Sequence, residues 1–133
     1  MKQLFIRYFF VLAAFGFGCK QTTSQDQVKH LTPKETHALV QNDSVQIIDV
    51  RTPKEFREGH IKNAKNIDFL SASFPDDITA LDKQKPILIY CRSGNRSSKS
   101  IDLFLKAGFT TLYHLEDGIV KWTTDGYQVT PSP

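Results

Sequence analysis

Residues 86–97 read Pro86-Ile87-Leu88-Ile89-Tyr90-Cys91-Arg92-Ser93-Gly94-Asn95-Arg96-Ser97, and this stretch decides the fold. Ile87, Leu88, Ile89 and Tyr90 form an unbroken apolar run, the pattern of a strand covered on both faces. The run passes without a spacer into Cys91. A second pattern then opens at Ser97: a helix over 97–107, with Ile101, Phe104 and Leu105 on one side and Gly108 as its stop. A buried strand that feeds a helix through a short polar loop is one unit of a parallel sheet.

The flanks repeat that grammar. Thr32-Pro33-Lys34-Glu35 supplies an N-cap, a proline at the first helical position and a glutamate that closes a capping box. Ala38, Leu39 and Val40 form the apolar side of that helix, and Asn42-Asp43 ends it. Thr52-Pro53-Lys54-Glu55 repeats the device for a short helix that stops at Gly59. Between them, 45–50 is a strand carrying Val45, Ile47, Ile48 and Val50. Further on, 64–67 is a short strand, 75–81 a short helix, 109–115 a last strand and 118–122 a final helical turn or two. The alternation predicts an α/β domain whose parallel sheet is covered by helices on both faces. In such sheets, sites form where strand carboxyl ends meet helix amino ends.

The bulk properties fit one globular domain. The chain has 133 residues, 40% of them hydrophobic and 23% charged, with a formal charge of +3. Lys2 and Arg7 lie in the leading segment, and without them 15 basic residues face 14 acidic ones. That balance gives no electrostatic case for nucleic acid. The cysteines, Cys19 and Cys91, show no spacing of the kind a structural metal site needs.

The first nineteen residues read as an address. After Lys2 and Arg7, the apolar run over 8–17 is shorter than the roughly 20 residues a membrane-spanning helix needs, and it fits a signal-peptide core. Gly16-Phe17-Gly18-Cys19 resembles a bacterial lipoprotein signal, cut before Cys19, whose thiol is then lipidated. An ordinary secretory signal or an uncleaved anchor is the alternative. The expected order is a signal peptide over 1–18, an anchor site and polar flexible tether over 19–29, a domain over 30–126 and a tail over 127–133. This places the protein in the bacterial cell envelope, exported and held to a membrane by lipid, either facing the periplasm or in the outer membrane.

Cys91 is the candidate nucleophile. Gly94 and Asn95 tolerate the positive φ of a tight loop, which can turn successive amides inward as an anion nest. The following helix adds the positive end of its dipole, and Arg92 and Arg96 add full charges. All of these favour a thiolate, and each tenfold rise in the thiolate-to-thiol ratio corresponds to about 1.4 kcal/mol. A cysteine after an apolar strand is often only a small core residue. The run Arg92, Ser93, Gly94, Asn95, Arg96 argues for a reactive thiol that handles anions. Asp49 reads as a hydrogen-bonder pinning the turn at Arg51 rather than as a catalyst. His60, behind Gly59, reads as a packed and satisfied histidine. His30, His37 and His114 share no spacing and read as surface or edge residues. Trp122 with Ile119 reads as a core plug, and Lys83, Lys85 and Lys99 as solvated charges.

At these residues the chain resembles the rhodanese family. Ile48-Asp49-Val50-Arg51 with Glu55-Phe56, Gly59-His60-Ile61, Ala64 and Asn66-Ile67 is similar to that family's first signature. Tyr90 to Ser97 is similar to its active-site loop. Ala107-Gly108-Phe109 and Leu115-Glu116-Asp117-Gly118-Ile119 with Trp122 are similar to its closing signature. The resemblance implies a five-stranded parallel sheet. It implies that the Cys91 thiolate takes the outer sulfur of a small anionic donor such as thiosulfate, releases sulfite, and passes the sulfur from a persulfide to a thiol or cyanide. Arg92 and Arg96, with the loop amides around Ser93, Gly94 and Asn95, would bind the donor. No metal or organic cofactor is implied, and a monomer is expected. A phosphatase or arsenate reductase with a similar loop needs an arginine six places after the cysteine. Ser97 stands there, and Arg96 comes one place early. A persulfide carrier or a partner-binding module without turnover is the other alternative.

Overall fold

The computed structural model describes residues 24–132. The signal and lipid-site readings, including Cys19, lie outside the described residues. In chain order the elements are α1 (Ser24–Gln27), β1 (Val28–Leu31), α2 (Pro33–Val40), β2 (Gln46–Asp49), α3 (Pro53–Glu58), β3 (Lys65–Asn66), α4 (Phe74–Thr79), β4 (Ile87–Tyr90), α5 (Asn95–Lys106), β5 (Leu112–Leu115) and α6 (Gly118–Thr124). The five strands form one all-parallel sheet in the order β1-β5-β4-β2-β3.

Strand alternation explains the layers. From β4, Ile87 and Ile89 turn to a cluster with Phe74 and Ile78 of α4 and Phe104 of α5, while Leu88 and Tyr90 turn to one with Ile119 and Trp122 of α6. Helices therefore cover both faces, as the apolar run of β4 predicts. Both capping boxes form. Glu35 accepts the Thr32 amide at 2.9 Å and Glu55 accepts that of Thr52 at 3.0 Å, while each threonine hydroxyl accepts the glutamate amide at 3.3 Å. Such a cap stabilises a helix start by about 1 kcal/mol.

Several expectations are corrected. The polar stretch read as tether already carries α1, and β1 begins at Val28, ahead of the expected domain start. Only Val28 and Leu31 of β1 pack inward, so its four residues show no apolar run. The expected tail is pinned: Thr130 and His60 exchange backbone hydrogen bonds of 2.8 and 3.0 Å, and Val129 packs on the α6 side. In α2, Pro33 and Thr36 are the buried residues and Ala38 is exposed. Helix α5 begins at Asn95 rather than Ser97, because Gly94 (φ +99°) turns the chain at once.

The chain leaves β2 toward β3 on one side and β4 toward β5 on the other. Neighbouring strands whose connections diverge leave a crevice at their carboxyl ends. Cys91 follows β4 at that crevice.

Candidate active site

The loop after β4 is four residues long: Cys91 opens it buried, Arg92 and Ser93 form its exposed crest, and Gly94 is buried. A Cβ at Gly94 would lie 1.9 Å from the Glu116 carbonyl oxygen, so only glycine fits there. The start of α6 closes the loop from behind. The Ile119 amide donates to the Cys91 carbonyl at 2.9 Å and the Val120 amide to that of Arg92 at 3.1 Å. Gly118 (φ +65°) sits so close that a Cβ would lie 2.3 Å from the Arg92 oxygen.

The Cys91 sulfur receives polar donors. The Gly94 amide donates to it at 3.1 Å and the Ser97 hydroxyl at 3.3 Å. Burial pushes the thiol up. The Ser97 hydroxyl and the amides of Ser97, Gly94 and Ser93 outweigh that, and the net direction is down. Cys91 is only 1% exposed, and its side chain also touches the α4–α5 core. It is a free cysteine with an apolar flank and a hydrogen-bonded end.

The guanidinium groups are placed differently from the expectation. Arg96 lies in the first turn of α5 and donates two bonds of 2.7 Å to Glu55. Glu55 also holds the Thr52 cap, and Arg96 with these bonds keeps its carboxyl depressed to about 2. Arg96 therefore clamps α5 to α3 across the crevice instead of standing ready for a donor. Asn95 is likewise helical and does not supply a positive φ. Arg92 remains on the crest as the loop's exposed cation. It lines a cavity of about 330 Å³ with Arg51, Glu55, Glu58, Ile119 and Thr123.

Asp49, Arg51, His60 and Trp122 surround the loop at a greater remove. Asp49 is fully buried and accepts from the Arg51 amide at 2.9 Å and from its guanidinium at 2.6 Å; Arg51 also donates to the Gly59 carbonyl at 2.7 Å. His60 lies flat on Phe56, with ring centroids 3.8 Å apart, and its Nδ1 is 2.9 Å from the Phe56 carbonyl. Trp122 is buried and donates to the Gln128 carbonyl at 3.0 Å.

The contacts of three residues escaped the sequence reading. Ser97 was read as the end of the loop signature and a helix start, Glu55 as a cap and part of the first signature, and His114 as an edge residue. His114 is in fact 1% exposed on β5, with Nε2 at 2.8 Å from Ser97 Oγ. Burial, and then His30 beside it, depress this imidazole to about 4. The only available signal was the strand pattern of 109–115, which puts one side of β5 against the Cys91 loop.

Comparison with known proteins agrees with this geometry. A family described as "Rhodanese-like domain" matches residues 32–125. The thiosulfate sulfurtransferase GlpE of Pseudomonas aeruginosa is 32% identical over 97 residues, covering 73% of this chain and 86% of that protein. A tRNA uridine(34) hydroxylase of Cytophaga hutchinsonii is 39% identical over 97 residues, 71% of this chain, which spans only 31% of the hydroxylase. Among solved structures, a rhodanese-like domain protein from Staphylococcus aureus superposes with a TM-score of 0.64 at 31% identity, covering 79% of this chain and 99% of that one. A rhodanese-related protein from Thermoplasma volcanium superposes with a TM-score of 0.70 at 24% identity over 78% and 99% of the two chains. With its sheet order, its cysteine loop and a family match that spans most of its length, the chain belongs to the rhodanese-like domain family.

Proposed function

We propose that this domain is a sulfurtransferase that works through a Cys91 persulfide. The observation that carries the reading is the sulfur of Cys91 at the end of β4, held by the Gly94 amide and the Ser97 hydroxyl. The Cys91 thiolate attacks the outer sulfur of thiosulfate or a related donor. The new sulfur–sulfur bond forms as the old one breaks, and sulfite leaves with the bonding pair. A thiolate or cyanide acceptor then attacks the terminal sulfur and returns the Cys91 thiolate. This is two-step covalent catalysis. No net proton is consumed when both partners arrive as anions. Arg92 draws the anionic donor to the crest, and the loop amides steady charge on the transferring sulfur. The likeness to a thiosulfate sulfurtransferase over 86% of that protein's length supports the donor class.

Incubating the protein with thiosulfate and weighing it intact tests this. The expected result is an added mass of about 32 Da, one sulfur atom, that is absent in Cys91→Ser and removed by cyanide. A folded protein that gains no such mass would overturn the reading. Loading followed by no steady-state thiocyanate production would favour a carrier that hands its sulfur to a protein acceptor. For the setting we propose the cell envelope, with lipid on Cys19; incorporation of labelled fatty acid that disappears in Cys19→Ala is the expected outcome.

A further inference from the structure

One hydroxyl hydrogen near the sulfur has three claimants. Ser97 Oγ lies 3.3 Å from Cys91 Sγ, 3.2 Å from the Gly94 carbonyl oxygen and 2.8 Å from His114 Nε2. If Nε2 is bare, it is the nearest acceptor and takes the hydrogen from the sulfur. If Nε2 carries a proton, it donates to Ser97 and frees the hydroxyl hydrogen for Sγ, which as a thiolate is a stronger acceptor than the neutral Gly94 carbonyl. The tautomer of His114 therefore decides whether the sulfur keeps its side-chain donor.

The other side of that ring is not left to chance. His30 of β1 stands opposite His114 in the parallel register, and the two Nδ1 atoms are 3.1 Å apart. One of them must carry the hydrogen between them. When His30 donates, His114 Nδ1 is the acceptor and a neutral His114 holds its proton on Nε2. Every hydrogen in the chain then points toward the sulfur: His30 to His114, His114 to Ser97, Ser97 to Cys91. His114 is buried and His30 is exposed, so the chain runs from solvent to a thiol with almost no surface of its own.

We propose that His30 and His114 form a positioning relay that fixes the tautomer of His114 and thereby aims the Ser97 hydroxyl at the Cys91 sulfur. The relay rests on the reading of Cys91 as a working thiolate. It supplies no atom to the transferred sulfur. The charged groups that share a cavity with the two imidazoles are Lys99 of α5 and Glu116 of the β5–α6 turn, and Lys29 precedes His30 on β1. Their direct field on the sulfur has to be separated from the relay, and a double-mutant cycle does so.

The measurement is the rate of Cys91 alkylation by iodoacetamide as a function of pH, resolved by peptide mass so that Cys19 does not contribute. It is made on wild type, His30→Ala, His114→Gln and the double variant. A glutamine amide nitrogen can take the place of Nε2–H and donate to Ser97 without help from His30. The expected result is a roughly threefold to tenfold fall at pH 7 for His30→Ala, the partial loss of one charge-assisted donor, since the Ser97 hydroxyl stays in place but is less often aimed at the sulfur. Adding the same change to His114→Gln should have no further effect. An unchanged rate in His30→Ala, or an equal fall in both backgrounds, would overturn the relay. Should His114→Gln fail to fold, a long-range ¹H–¹⁵N spectrum of the wild type decides: protonation of His114 on Nε2 is expected, and protonation on Nδ1 refutes it. None of these readouts needs a sulfur donor, so the relay can fail while persulfide formation stands, and the reverse.

Discussion

At the residue scale, the question is what favours the ionised form of a buried sulfur. An apolar flank and near-complete burial oppose the charge, and the opposing forces are short hydrogen bonds from Gly94 and Ser97. A bond to a charged acceptor contributes about 1.5–3 kcal/mol, so one such donor changes the thiolate-to-thiol ratio by roughly tenfold or more. Ser97→Ala should therefore slow Cys91 alkylation at neutral pH by at least that factor; a rate equal to wild type would mean the hydroxyl serves His114 or Gly94 instead. The sequence made Cys91 and its loop legible, because a reactive thiol leaves a local pattern of glycine and basic residues. The roles of Arg96 and His114 were not legible. Arg96 is neutralised by Glu55, which lies 41 residues earlier, and His114 meets Ser97 only through the sheet.

At the element scale, the loop is held by the start of α6. Two amides of that helix satisfy the carbonyls of Cys91 and Arg92, and Gly118 lets the two backbones meet. Gly118→Ala would add a methyl group 2.3 Å from the Arg92 oxygen at a φ of +65°. The helix must retreat, so the expected cost is about 2–4 kcal/mol of stability, with sulfur transfer lost well before the fold. Chemical denaturation and activity measured on the same variant check this, and a fully active, equally stable protein would contradict it. The helix starts were readable because Thr-Pro-Lys-Glu is a local device. Strand β1 was not, since Val28-Lys29-His30-Leu31 acquires its meaning only when it pairs with β5.

At the scale of the whole molecule, the pH dependence of stability joins the site to the fold. His114 is depressed from the ordinary imidazole value of about 6.5 to about 4 by burial and by His30. The unfolded chain therefore binds a proton between those two values that the folded chain refuses. Stability is full above the upper value and declines as pH falls toward the lower one, by roughly 3 kcal/mol. Glu55 adds a loss in the same direction at lower pH, below the ordinary carboxyl value and down through about 2. Denaturation midpoints measured across this range should fall with acid, and His114→Gln should flatten the upper part of the curve. A flat wild-type curve between pH 7 and 4 would contradict the buried neutral imidazole. The sheet class was legible from alternating strand and helix patterns, but the pinned tail was not, because Thr130 finds His60 only in three dimensions.

The most direct test of the central claim is a spectroscopic titration of the Cys91 thiolate in the folded protein, taken as the difference between wild type and Cys91→Ser. The expected midpoint lies below that of an ordinary cysteine thiol, because the donors at the sulfur outweigh its burial. A midpoint at or above the ordinary value would contradict it.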